Sequence, residues 1–133
     1  MCLALLMAGQ AAPGQSRLDA ARRAMDAECP RACQRLAAGL TSTEARLLLL
    51  EVSWRSGDDW QPQLRALEGL DRSTFSHSLQ MRFYLLRARL KPASSRRDLE
   101  EAWGIATNPL EQARVRMAQV NASAMTSRGA RSA

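Results

Sequence analysis

The sequence predicts an all-α protein of stacked antiparallel helical hairpins, six to seven helices in all, and three observations carry that prediction. Ala, Leu, Arg, Glu and Gln dominate while β-branched residues are sparse, which favours helix almost everywhere between Ser16 and Ser123. Two stretches, Glu44 to Leu70 and Ser78 to Ile105, draw the same figure: an apolar-rich helix, a short polar break, then a shorter amphipathic helix. The breaks fall at Gly57 and near Lys91, 34 residues apart, the period of a repeated helical hairpin. Such hairpins cannot bury their apolar faces alone, so they stack and leave a concave groove lined by the first helix of each pair. At 133 residues the chain is long enough for one core and short for two.

Each element has its own reason. Ser16 to Glu28 sets Leu18, Ala21, Met25 and Cys29 on one side of a helix. Pro30 to Ala38 follows and stops at Gly39, suited to the position after a helix end. Thr41 or Ser42 caps the third helix, and Thr41-Ser42-Thr43-Glu44 has the form of a capping box. That helix carries Leu47 to Leu50, Val52 and Trp54 and is apolar over most of its circumference. Gly57 permits a left-handed turn, Trp60 clamps the hairpin, and Pro62 falls in the first turn of the next helix, where its missing N–H costs nothing. Leu64, Leu67 and Leu70 give that helix its buried face. Ser73 or Thr74 opens the second hairpin, whose first helix holds Leu79, Met81, Phe83, Tyr84, Leu86 and Leu90 and breaks at Pro92. Ser94 or Ser95 caps a helix over Arg96 to Gly104 with Leu99, Ala102 and Trp103 inward. Thr107-Asn108-Pro109 starts a last helix, Leu110 to about Val120, with Ala113, Met117 and Val120 on it. The domain organisation expected is an apolar N-terminal segment over 1–15, a helical-repeat domain over 16–120 and a disordered basic tail over 121–133.

Charge narrows the function classes. The net charge is +6, with 18 Arg against the single Lys91, a ratio that fits a GC-rich coding sequence. The arginines are spread along the helices and interleaved with acids, as in Arg96-Arg97-Asp98 followed by Glu100 and Glu101, and no aromatics alternate with them. That is the pattern of solvated helix faces, not of a nucleic-acid stripe. The excess positive charge favours an acidic partner.

Cys2 to Gly9 is an apolar run of signal-peptide length, with Gly9 and Ala11 at the small-residue positions of a cleavage site after Ala11, but it has no charged start. It is either the remnant of an export signal or a first helix that ends at Pro13-Gly14. It is too short to span a bilayer, and lipid anchoring would need a cysteine where Gln10 stands. Cys2, Cys29 and Cys33 are odd in number, which points to a reducing, cytoplasmic setting with small apolar thiols; export to the periplasm is the alternative. The single His77 lies too far from the cysteines for a zinc site.

No phosphate loop, nucleophile elbow or metal-binding His pair is present. His77 has Ser76 and Ser78 beside it but no carboxylate placed in sequence to orient the ring, and the expectation is a non-enzymatic chain without cofactor or metal. Mapping the repeat puts Leu47, Glu51, Trp54 and Arg55 on the concave side of one first helix and Met81, Leu85 and Arg89 on the next. A bland alternative makes Leu47, Trp54, Met81 and Leu85 core only.

The stretch Glu44-Ala45-Arg46-Leu47, leading nine residues on to Ser56-Gly57, and the stretch Ala106-Thr107-Asn108-Pro109-Leu110, followed by Arg116-Met117-Ala118-Gln119, resemble the larger, tetratricopeptide-like chaperone of type III secretion needle subunits. The similarity covers Pro30 to Gln119. It implies a cytoplasmic protein of three helical hairpins that grips the amphipathic C-terminal helix of a small needle subunit, with a small helical co-chaperone completing the complex. The other class compatible with the residues is an exported helical-repeat adaptor or scaffold.

Overall fold

A computed structural model describes residues 15–132, with the side chains of 125–132 left aside. The expectations for the first fourteen residues, including Cys2 and the Ala11 cleavage site, lie outside the described residues. Within them the chain is helical, with seven α-helices, two short 3₁₀ turns and no strand. The helices are α1 (Gln15–Asp26), α2 (Pro30–Ala37), α3 (Thr43–Ser56), α4 (Gln61–Glu68), α5 (His77–Leu90), α6 (Ser95–Ile105) and α7 (Pro109–Ser132). They group into two compact units that meet in sequence at Asp71 and Arg72.

In the first unit α1 and α2 form a hairpin that packs on α3, and α3 packs on α4. The core is unusually rich in small side chains. Ala20, Ala21, Ala24, Ala32, Ala37 and Ala45 are buried with Leu18, Met25, Cys33, Leu36, Leu48 and Val52. Alanines let helix axes approach, so contact is made by backbone and methyl groups rather than by long side chains. Arg17 Nη2 reaches from α1 to the carbonyls of Arg35 and Ala38, 3.4 and 3.3 Å away, placing a cation on the negative end of α2. Arg22 ties α1 to α3 by donating to Glu44, with Nε 2.7 Å from Oε1.

Helix ends follow local rules. Ser42 caps α3 by accepting from the Ala45 N–H at 3.2 Å. Glu44 turns to Arg22, so the expected capping box does not form. Gly57 ends α3 in the left-handed region, φ 77°, and the Asp58 N–H closes the turn on the Ser53 carbonyl at 2.9 Å. Glu28 ends α1 in the same way at φ 60°, an uncommon conformation for a side-chain-bearing residue. Asp59 Oδ1 accepts from the Gln61 N–H at the start of α4, where Pro62 occupies the first turn.

The second unit is a three-helix assembly in which α5 packs on α6 and both pack on α7. Met81 from α5, Ala102 from α6 and Val115 from α7 meet at its centre, with Tyr84, Leu85, Ile105 and Ala106 around them. Arg87 donates to the buried Asp98 of α6, Nη2 to Oδ1 2.6 Å and Nε to Oδ1 2.9 Å. Ser94, expected to cap α6, instead donates to Asp98 Oδ2 at 3.3 Å. The Arg72 and Arg87 guanidinium groups stand 5.6 and 4.9 Å from the centre of the Phe83 ring, which meets Phe75 edge-on. The second hairpin begins later than Ser73, since Arg72–Thr74 is a 3₁₀ turn and Ser76 caps α5.

The last helix departs most from expectation. It continues past Val120 through Asn121 to Ser132 rather than passing into a disordered tail. Ala122, Ala124, Met125, Arg128 and Ala130 are good helix formers, and extending an established helix is far cheaper than starting one.

Candidate functional site

The seven residues expected to line one groove are divided between the units. On α3, Leu47 is buried, Glu51 and Trp54 are partly covered, and Arg55 is exposed. Glu51 and Arg55 form an ion pair along the helix at 2.9 Å. On α5, Met81 is buried at the three-helix junction, Leu85 packs against the same junction, and Arg89 is exposed. A residue closed into a core offers a partner little surface, so Leu47 and Met81 act through packing.

The apolar surface that remains lies elsewhere. Trp103, Leu110, Met117 and Val120 are the large hydrophobic side chains exposed among the described residues, and three of the four are on α7. Leu110, Met117 and Val120 stand 61, 68 and 67% exposed. Ala113 and Ala124 are exposed too, so positions 110, 113, 117, 120 and 124 make an unbroken row with alternating steps of three and four. That spacing is the seam of a coiled coil. At 100° per residue the row lies on the side of α7 opposite Val115, which meets α5 and α6 at the junction, and Ala118 and Ala122 fall on the Val115 side. Trp103, expected inward, stands at the edge of this surface, with the Arg116 guanidinium 4.0 Å above its ring. Arg114 and Arg116 flank the seam on either side.

The sequence identifies the residues of this row but not their exposure. The signal was present in the heptad spacing of Leu110, Ala113, Met117 and Val120 together with Val115 at a position outside it.

The start of α7 is held by a compact polar cluster. Asn108 Oδ1 accepts from the Glu111 N–H at 2.9 Å, and Glu111 accepts from the Thr107 N–H at 2.9 Å and the Thr107 hydroxyl at 3.1 Å. His77, at the first position of α5, brings Nε2 to 2.9 and 2.8 Å from the two Glu111 oxygens. The Thr107 backbone N–H, then the His77 hydrogen bond, hold the Glu111 carboxyl below its ordinary value. A carboxylate therefore does sit on the imidazole, from 34 residues away in sequence. The cluster is a clamp between helix starts, and Ser76, next to His77, is engaged as the α5 cap.

Charge is unevenly distributed. Residues 72–133 carry eleven basic and four acidic side chains, a net of +7, whereas residues 1–71 carry eight and nine, a net of −1. Between Pro109 and Ser132 the acid Glu111 stands against four arginines. Cys33 is a thiol buried in the first core, and Cys29 is partly buried against the same core. The expectation of a small apolar thiol fits the buried Cys33.

Among the described residues no group of three or more His, Cys, Asp or Glu side chains could hold a metal ion, and no helix is long and apolar enough to cross a membrane. No protein-family model, curated protein or solved structure matches the chain.

Proposed function

We propose that this chain is a non-enzymatic protein-binding module that holds an amphipathic helix of a small partner, acting as a chaperone of the kind that keeps a type III secretion needle subunit from assembling. The single observation that carries the reading is the row of Leu110, Met117 and Val120, left uncovered while the apolar residues of α1, α2 and α3 close into a core. Contiguous apolar surface on a small protein is costly to keep in water, and it persists where a partner covers it. An aggregation-prone helix is kept monomeric when its sticky face is buried against such a surface. The resemblance over Pro30 to Gln119 supplies the needle subunit and a small co-chaperone as the partners, and a cytoplasmic location. The test is recovery of the tagged full-length chain from its native host under mild cross-linking, followed by reconstitution with whatever co-purifies in fixed ratio. The expected result is a small helical protein that polymerises alone and stays monomeric with the chain. A chain that purifies without a stoichiometric partner overturns the reading.

One observation favours a second reading. The apolar run over Cys2 to Gly9, with small residues at Gly9 and Ala11, supports an exported adaptor. Determining the first residue of the mature protein separates the two, since cleavage after Ala11 belongs to the exported form.

A further inference from the structure

The α7 seam has a width, a length and a charged border, and together these specify its occupant. The apolar row takes two of every seven positions, from Leu110 to Ala124, about two heptads and about 21 Å of helix. A membrane surface calls for a broad apolar face, whereas so narrow a seam matches one facing helix. Its neighbours along both borders are polar or basic: Arg114 and Asn121 on one side, Arg116 and Ser123 on the other. Arg116 is stacked on Trp103, so its guanidinium is fixed beside the seam and not swinging in solvent.

We infer that the α7 seam docks an amphipathic helix of another protein that carries apolar residues in heptad spacing and carboxylates along both borders, paired with Arg114 and Arg116. This rests on the protein-binding reading above and adds the surface and the chemistry of the partner. Charge argues against a second copy of the chain: the one acid of α7, Glu111, lies on the inner side in the grip of His77 and Thr107, so a facing α7 brings no carboxylate to either arginine. Like-signed seams repel, whereas glutamates at the flanking positions of a partner would meet cations on both sides. The +7 charge of residues 72–133 adds attraction toward an acidic helix before contact.

The test uses the full-length chain and three synthetic helical peptides of four heptads with a fluorescent end label, read by anisotropy at low and physiological salt. One has Leu in the seam and Glu on the borders, one has Leu and Lys, and one has Ser and Glu. The first peptide is expected to bind, and to weaken as salt rises. The other two are expected to bind at least tenfold more weakly. Met117→Asp with Val120→Asp is expected to abolish binding while leaving the circular dichroism spectrum and melting midpoint unchanged, and Arg114→Glu with Arg116→Glu to reverse the preference toward the Lys-bordered peptide. Equal binding of Glu- and Lys-bordered peptides overturns the charge assignment. Retention of binding by the double aspartate variant overturns the seam. Dimerisation of the chain at micromolar concentration, abolished by the aspartate pair, would assign the seam to a second copy, and sedimentation with vesicles, abolished by the same pair, would assign it to lipid; either overturns the proposal. A natural partner that is still captured by the double aspartate variant would leave the module reading standing and remove this surface from it.

Discussion

Asp98 shows how much one side chain can decide. It is 1% exposed, its partner Arg87 is itself largely covered, and Ser94 supplies a further hydrogen bond. Removing one member of a buried pair leaves the other charge uncompensated. Asp98→Ala should cost about 3 to 5 kcal/mol in chemical denaturation, and replacing both partners by Arg87→Met with Asp98→Leu should cost far less. Glu111 sets an acid limit on stability. Its folded-state carboxyl titrates below the ordinary value of 4.5, so the folded chain binds fewer protons than the unfolded one in the window just below 4.5. The contribution is complete above that value and is lost as pH falls through the lower folded one. Denaturation midpoints measured from pH 6 downward should fall for the wild type, and Glu111→Gln should flatten that limb. Neither pair was legible in sequence, because Arg87 and Asp98 lie eleven residues apart on two helices, and His77 and Glu111 thirty-four. Only tertiary packing brings them together.

At the scale of the element, what the sequence revealed were the features governed by short-range sterics and hydrogen bonds. Ser42 as a cap, Gly57 in a left-handed turn, Pro62 in a first turn and the break before Pro92 needed no knowledge of the fold. Gly57→Ala should cost about 1 kcal/mol, the left-handed penalty for a Cβ less the entropy gained in the unfolded chain. Asn108→Ala should cost about 1 kcal/mol by uncapping α7. Urea titration of each variant checks both values. The orientation of α7 was not legible, because the helix has two apolar sides. Val115 with the small Ala118 and Ala122 makes one, and the larger Leu110, Met117 and Val120 make the other. Hydropathy favours burying the larger set; close approach of helix axes favours the smaller, and the side that carries Val115 is the one that packs here.

For the whole molecule, the all-α architecture follows from composition and punctuation, and far-UV circular dichroism should show helical minima without a β signature. The groove expected from the 34-residue period was harder to read. Its two first helices, α3 and α5, fall in different compact units, and periodicity alone cannot tell a core-facing Met81 from a groove-facing one. The charge partition was hidden for a related reason. A net of +6 is the sum of −1 and +7, and the division emerges only once the boundary after Asp71 is known.

The placement of Val115 on one side of α7 and Met117 on the other bears on how the gene can change. A side chain that buries little in the isolated chain is under little folding constraint, so a library selected only for protease resistance on a display surface should accept polar residues at 110, 117 and 120 nearly as readily as apolar ones. The same library should keep Val115 and Met81 apolar. If the library also holds Met117 and Val120 apolar, those two side chains are covered in the folded chain. If it does not, whatever maintains Leu, Met and Val at those three positions in the living cell acts from outside the molecule.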